Sequence, residues 1–195
     1  TVEQIHDYFK NTVSKTDYYL IIFTGHGNYV EASGPRCYLL NGEWFSHSEL
    51  EKWVSGVPTL FLTDSCQGIE RLNEGGQLRQ RSFSSTIDST RRTLARAKYD
   101  EALRRMPLGM FVVGSSVSPG EYAYENPKIG GFYFISLISE ADKIRHNRLM
   151  AAGVYGIGYI HALATKEVEK LSGERQTPYL TGYNRTVQPP FMVKL

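Results

Sequence analysis

Residues 18–27 read Tyr-Tyr-Leu-Ile-Ile-Phe-Thr-Gly-His-Gly, and this run indicates the class of fold. Its first six residues are apolar or aromatic without alternation, which is typical of a strand buried on both faces of a mostly parallel sheet. A second such run, residues 59–63, leads directly into Asp-Ser-Cys-Gln-Gly at positions 64–68. Two buried strands that each end in a glycine-flanked polar motif predict an open α/β sheet with its chemistry at the carboxyl ends of the strands.

The remaining sequence supplies helices between and after these strands, so the predicted sheet is mostly parallel and lies between helix layers. Ser46 and Glu49 have the spacing of a capping box, which marks the start of one helix. Asn41-Gly42 is a strong hairpin signal. The predicted helices cover 2–13, 47–54, 88–105, 131–141 and a longer stretch to 171, and Asp88 is the cap of the third. Further predicted strands cover 36–40, 43–45, 109–113 and 177–180.

The composition is that of a globular protein, with 195 residues, 41% hydrophobic and 22% charged. We therefore expect one structural domain. The net charge of +2 gives no global field for nucleic acid, so no nucleic-acid partner is predicted. The charge is uneven, because residues 71–106 carry nine Lys or Arg residues and only four Asp or Glu residues. The plainest interpretation of this basic stretch is a solvated helix face or an exposed loop.

Cys37 and Cys66 form neither a disulfide framework nor a zinc-binding pattern. Reduced thiols favour a cytoplasmic location. No apolar run approaches the ~20 residues that a membrane span needs, so no membrane partner is predicted. The sequence requires no cofactor, and it suggests no metal ligands.

The polar motifs at the two strand ends make His26 and Cys66 a candidate catalytic pair. Neighbouring strands lie ~4.8 Å apart, so residues just past two adjacent ends can share one site. A nearby imidazole lowers the pKa of a thiol and can later protonate a departing amine. Gly27 leaves room for a substrate to approach the backbone, and its amide is a candidate oxyanion donor together with that of Cys66.

Other interpretations of these residues stay open on the sequence alone. A lone cysteine after a buried strand is commonly a small core residue, and a lone histidine there is commonly structural. Gly25-His26-Gly27 could be half of a nucleotide-binding loop, although the third glycine and the following helix are missing. A phosphate-binding lysine loop and a Gly-x-Ser-x-Gly elbow are both absent.

The paired motifs resemble those of the caspase-like cysteine peptidases. Phe23–Gly27 is similar to the His-Gly motif of that clan, and Thr63–Gly68 is similar to its Cys-Gly motif. Asp64-Ser65 before the cysteine is closest to the metacaspase and paracaspase type. The resemblance continues through segments similar to the small subunit of the family, namely 120–125, 130–132 and 173–178.

This resemblance implies a caspase-like three-layer sandwich and a role for several residues. Cys66 would attack the scissile carbonyl, and His26 would protonate the leaving group. Asp64 would line the pocket for the residue before the cleaved bond and select Arg or Lys; its alternative role is a helix cap or a strand-end hydrogen bonder. Glu121 is a weaker candidate for the same pocket. The backbone at Ser115 and Ser116 would pair with an extended substrate.

The resemblance also implies a division of the chain: residues 1–69 form a large-subunit-like part, 70–106 an activation-type loop and basic helix, and 107–195 a small-subunit-like part. The strand, helix and strand that open the family fold are missing before residue 2, so we expect a regulatory chain or domain to supply them. The strand at 18–23 would otherwise have an exposed edge. Calcium-dependent members of the family carry clustered aspartates after the histidine and after the cysteine. Calcium binding is not expected here, because intervals 27–63 and 67–87 contain no Asp. Arg79 and Arg81 are candidate self-cleavage sites.

The sequence and its resemblance to the caspase-like peptidases therefore imply a cysteine endopeptidase that cleaves protein or peptide substrates after basic residues and that processes itself within residues 70–87. Two alternatives remain at this point. One is a catalytically silent caspase-like scaffold for assembly or signalling. The other is a small-molecule hydrolase or transferase on an unrelated α/β fold.

Overall fold

The computed structural model describes residues 1–13, 18–67, 89–126, 130–183 and 186–195. Within these ranges the chain forms helices and strands in an α/β order. The helices are α1 (Val2–Thr12), α2 (His47–Trp53), α3 (Ser89–Leu103), α4 (Phe132–His146) and α5 (Ile157–Ser172). The strands are β1 (Tyr19–Thr24), β2 (Gly27–Val30), β3 (Gly34–Tyr38), β4 (Trp44–Ser46), β5 (Thr59–Asp64), β6 (Phe111–Ser115), β7 (Glu125–Asn126), β8 (Gly130–Gly131), β9 (Gly153–Gly156), β10 (Tyr179–Thr181) and β11 (Pro190–Lys194).

A four-stranded central sheet has the order β1-β5-β6-β10. The first three strands are parallel, and β10 runs antiparallel to β6. The register places Thr24 opposite Asp64 and Thr63 opposite Ser115, so β1, β5 and β6 end at the same edge. The predicted mixed α/β fold with a mostly parallel sheet is confirmed.

Helices cover both faces of this sheet and form two cores. All six residues of β5 are buried. Leu60 and Leu62 of that strand pack into a core with α4 and α5, whereas Phe61 packs into the opposite core with α1 and α2. This alternation follows from the two-residue period of a strand. The predicted three-layer sandwich is therefore present.

Strand β1 lies at one edge of the sheet, where it pairs with β5 alone among the described strands. Tyr19 is buried, but Leu20 and Ile22 are 49% and 58% exposed. The prediction that this strand is buried on both faces is therefore wrong. Within the described residues, packing elements cover only one of its faces.

The small sheet β2-β3-β4 follows directly from β1 and fixes the His26-Gly27 turn. The predicted hairpin is confirmed by the antiparallel pairing of β3 with β4, and β2 adds a third strand that places Gly27 opposite Cys37. The capping box is also confirmed. Ser46 N donates to Glu49 Oε2 at 2.8 Å, and Glu49 N donates to Ser46 Oγ at 3.2 Å.

The predicted long helix to residue 171 is interrupted by β9, which pairs antiparallel with β11. Helix α5 begins only after this strand, and it ends at Gly173, whose φ of 64° provides the left-handed C-cap. Among the described helices, none combines the length and hydropathy required to cross a membrane.

Candidate active site

The ends of β1 and β5 meet closely enough that residue 27 must be a glycine. Gly25 N donates to Asp64 O at 3.3 Å, which ties the two strand ends together. A Cβ atom placed on Gly27 would lie 2.7 Å from Arg36 O and 2.8 Å from Cys66 O, closer than real side chains approach. The absence of a side chain at Gly27 therefore allows the His26-Gly27 turn to lie against Cys66.

Cys66 is partly exposed at this edge, and His26 is exposed beside it. The Cys66 thiol lies 3.8 Å from Ala123 O, to which it donates a weak hydrogen bond. The His26 carbonyl accepts from Tyr38 N at 2.9 Å, which holds the backbone of the turn. Among the described residues, His26 and Cys66 make no side-chain hydrogen bond to one another. The structure thus brings the predicted pair to one edge, with the thiol directed at Ala123.

Ser115 and Ser116 lie beneath the turn that carries Cys66, and both are fully buried. Ser65 N donates to Ser116 Oγ, and that hydroxyl donates to Ser65 O, both at 3.2 Å. Gln67 Nε2 donates to Ser115 Oγ at 2.5 Å. The two hydroxyls therefore support the turn from below.

The backbone at these serines is also bonded within the chain. Ser115 faces Tyr179 of β10. Ser116 N donates to Thr63 O at 2.9 Å, and Ser116 O accepts from Gln176 Nε2 at 3.0 Å. Pairing of a substrate with Ser115 and Ser116 stays a prediction, and it requires these bonds to be exchanged.

Gln67 connects the cysteine to the other half of the fold, a role that the sequence reasoning missed. Its backbone N–H donates to Glu121 O, and its carbonyl accepts from Gly120 N, each at 3.0 Å. Its buried side chain donates to Ser115 and, at 3.3 Å, to Tyr179 Oη. A polar residue directly after Cys66 was the signal for this role, but its partners lie at least 48 positions away.

Asp64, the last residue of β5, is 8% exposed and lies at the start of α4. Phe134 N donates to Asp64 Oδ2 at 3.4 Å, and the N-cap residue Gly131 has no side chain to make this bond itself. A Cβ on Gly131 would overlap the Asp64 carboxylate. The alternative role of Asp64 as a helix cap is therefore present in the structure.

Burial raises the pKa of the Asp64 carboxyl from 3.8 to about 6. Hydrogen bonds from Phe134 N and Ser116 oppose this rise, and the charge of Glu125 adds to it. A buried carboxylate that accepts few hydrogen bonds is expected to behave in this way, because burial disfavours the charged form. Asp64 is thus an acid whose ionisation is costly in this site.

Glu125 is the second acid of the site, and the sequence reasoning did not select it. It is exposed, and the β7-β8 pairing places it opposite Gly131, against which the Asp64 carboxylate packs. The influence of Glu125 on the pKa of Asp64 is consistent with this proximity. Glu125 lies two residues after Ala123, whose carbonyl oxygen contacts the Cys66 thiol.

Glu121, the predicted second acid, has its carboxylate occupied by backbone groups. Its Oε2 accepts from Ser118 N at 3.2 Å and from Thr177 N at 2.7 Å. These bonds tie two loops together beside Gln67. Its predicted role in substrate binding stays untested, and the geometry gives it a structural one.

Three of the predicted positions lie outside the described residues, namely the candidate self-cleavage sites Arg79 and Arg81 and the predicted helix cap Asp88. In the part of the chain that is described, no group of three or more His, Cys, Asp and Glu residues could hold a metal ion. Both cysteines are free.

A mostly parallel α/β sandwich, with a partly exposed cysteine after its central strand and a histidine after the neighbouring strand, has the architecture of a cysteine-type peptidase. Residues 1–188 match the family model described as the caspase domain, and the chain belongs to this family. The resemblance predicted from the sequence is confirmed, and the interpretation as an unrelated α/β hydrolase is wrong. The narrower likeness to metacaspases and paracaspases stays a prediction.

The crystal structure of caspase-1 from Spodoptera frugiperda is similar to this chain in fold. The two are 19% identical, with a TM-score of 0.55, and the match covers 93% of this chain and 67% of that one. No protein with a curated description matches the chain.

Proposed function

We propose that the protein is an endopeptidase that cleaves after Arg or Lys, with Cys66 as nucleophile and His26 as its proton-transfer partner. The observation that carries this proposal is the contact of Gly27 with Cys66 O, which only a glycine permits. Such an approach is needed if an imidazole and a thiol on separate strands are to act on one bond. The family match supports the peptidase class.

In the proposed reaction His26 takes the proton of the Cys66 thiol, the sulfur bonds to the scissile carbonyl carbon, and His26 passes the proton to the amine as the C–N bond breaks. Water then hydrolyses the thioester, which releases the carboxylic acid and restores the thiol. The amides of Gly27 and Cys66 are the proposed oxyanion donors. The exposed His26 ring has no described side-chain partner to hold it elsewhere, so a side-chain rotation is the movement that we expect to bring it to the thiol.

The proposed preference for Arg and Lys rests on Asp64 and Glu125. Two neighbouring carboxyl groups at this edge of the sheet favour a cationic side chain and disfavour an acidic one. Binding a cation would also offset the cost of ionising Asp64. Glu121 contributes less, because two backbone amides already occupy its carboxylate.

We further propose that a regulatory chain or domain covers the edge strand β1. Leu20 and Ile22 are exposed there, and an uncovered apolar edge strand is prone to unwanted pairing. A reducing cytoplasm is the proposed location, because it keeps Cys66 in its thiol form. Nucleic acid and membrane are not proposed as partners.

A panel of fluorogenic peptides ending in Arg, Lys, Asp or Asn tests this proposal. Wild-type protein should cleave the Arg and Lys peptides, and both Cys66→Ala and His26→Ala should abolish cleavage. Cys37→Ala is the matched control, because it removes the other free thiol, which lies buried in a core. Cleavage after Asp instead of Arg would refute the role given to Asp64 and Glu125.

A silent caspase-like scaffold is the second candidate function, and the bond from the Cys66 thiol to Ala123 O favours it. In that case no peptide would be cleaved, and Cys66 would react with iodoacetamide no faster than an ordinary thiol. Rapid alkylation of Cys66 without peptide cleavage would instead indicate an active nucleophile that lacks its proper substrate or regulatory chain.

A further inference from the structure

Helix α3 is the least buried helix of the described structure and carries the basic stretch that the active site does not use. None of its fifteen residues is buried, and Leu94 is exposed. It is anchored through Tyr99, whose hydroxyl donates to Pro190 O at 2.7 Å. A helix of this length that is polar on most sides is marginal without outside contacts. Much of its surface is therefore available to a partner.

An open groove runs between α3 and the β9-β11 region, with a volume of about 580 Å³. We call it the α3 groove. Lys98, Glu101 and Arg105 line it on the α3 side, and Gly153 and Gly156 of β9 line it from the other element. A Cβ on Gly153 would meet no atom within 4 Å, so the backbone is open to approach there. This volume lies within the range of ligand-binding clefts.

The α3 groove has two cations that can be directed at a ligand. Lys98 lies in the last two turns of α3, Arg105 lies two residues after the helix ends, and both line the groove. Lys98 has no ion-pair partner among the described residues. Arg105 pairs with Glu101, but both side chains are more than 60% exposed. Such a surface pair contributes little to stability, so Arg105 can exchange partners at low cost.

We propose that the α3 groove binds an extended acidic segment of another protein. Side chains on one side of an extended peptide recur every ~7 Å, so two carboxylates of one segment can reach Lys98 and Arg105. Arg91, two helical turns before Lys98, adds a further cation on the same face of α3. A nucleic acid is a poorer fit, because its affinity comes from neutralising many phosphates, and Glu101 lies in the same wall.

The test is fluorescence anisotropy with a labelled decapeptide of alternating Glu and Ser, on a Cys66→Ala background so that no cleavage intervenes. Lys98→Glu combined with Arg105→Glu should weaken binding about tenfold or more, which corresponds to about 1.4 kcal/mol or more. Glu101→Gln should strengthen it, because this change removes the acid from the wall. Arg148→Glu combined with Lys166→Glu, an equal double charge reversal at exposed positions outside the groove, is the matched control and should have no effect.

Three results would overturn the proposal: no binding of the decapeptide, an equal loss with the double control variant, or tighter binding of a short single-stranded DNA. Thermal melting should show that each variant is folded, and Lys98→Gln with Arg105→Gln replaces the charge reversals if they unfold. The read-out is binding and not turnover. Its result is therefore independent of whether the protein proves to be a peptidase.

Discussion

Replacing Asp64 by Asn should stabilise the protein at neutral pH while it removes cleavage after basic residues. Asp64 is buried, and its clearest structural contact is the hydrogen bond from Phe134 N at the start of α4. An Asn side chain has nearly the same shape, and its carbonyl oxygen can accept the same bond. The substitution therefore removes the charge and keeps the cap.

The size of the effect follows from the pKa of this carboxyl. Burial raises the pKa of Asp64 from 3.8 to about 6. Between these values the folded protein binds the proton more tightly than the unfolded chain, so stability falls as the pH rises through this window. Each pKa unit corresponds to ~1.36 kcal/mol, so the ionised form costs about 3 kcal/mol above pH 6. Asp64→Asn should recover up to about this amount at pH 7.5.

Urea unfolding of both proteins between pH 4 and pH 8 measures the prediction. The advantage of Asp64→Asn should be small near pH 4, grow as the pH rises towards about 6, and then level off. Any free-energy cost of the Asn amide itself is the same at every pH. The part of the stability difference that changes with pH therefore reports the charge of Asp64 alone. Asp142→Asn, at an exposed position of α4, is the control and should change stability by less than about 0.5 kcal/mol.

Two outcomes would refute this reasoning about Asp64. One is an advantage of Asp64→Asn that does not change between pH 4 and pH 8. The other is a variant that is less stable than the wild type at pH 7.5. In the same variant, cleavage of an Arg peptide should fall sharply, because the neutral side chain no longer attracts the cation. If cleavage were unchanged, Asp64 would not be part of the specificity pocket.

Two further predictions concern Gly27 and self-cleavage after Arg79 or Arg81. Gly27→Ala should destabilise the protein by about 1–3 kcal/mol in thermal melting, because the new methyl group would collide with backbone oxygens. Gly153→Ala, which has open space, should cost less than about 0.5 kcal/mol, and equal effects of the two would contradict the close approach. Self-processing predicts a cut after Arg79 or Arg81 that mass spectrometry finds in the wild type and not in Cys66→Ala; equal cutting in both would exclude it.

The sequence predicted the sheet well where burial alone determines it. The apolar run 59–63 marks a central strand, and the run 18–23 marks its neighbour, because buried strands have a simple composition. The run 18–23 could not show that Leu20 and Ile22 are exposed, since exposure depends on which elements pack against the strand. Strand β9 was missed because its four residues lie within the predicted long helix to residue 171 and are too few for a periodic signal.

In the candidate site, residues that directly follow strand ends were predictable, and residues that depend on contacts far along the chain were not. His26 and Cys66 follow strand ends directly, so their neighbourhood was predictable from the order of the strands. Glu125 was not, because its approach to Asp64 depends on the short β7-β8 pairing and on the position of Gly131. Gln67 was missed for a related reason, since its partners lie on β6 and β10, far along the chain.

The chemistry of Asp64 bears on the choice between an enzyme and a silent scaffold. Capping α4 requires an acceptor at this position, and a neutral Asn would provide one without the cost of a buried charge. Packing alone therefore gives no reason for a carboxylate here, and Glu125 makes its ionisation harder still. A cationic substrate side chain gives that reason, because it would be attracted by both acids. The buried carboxylate at Asp64 thus supports the proposed preference for a basic residue.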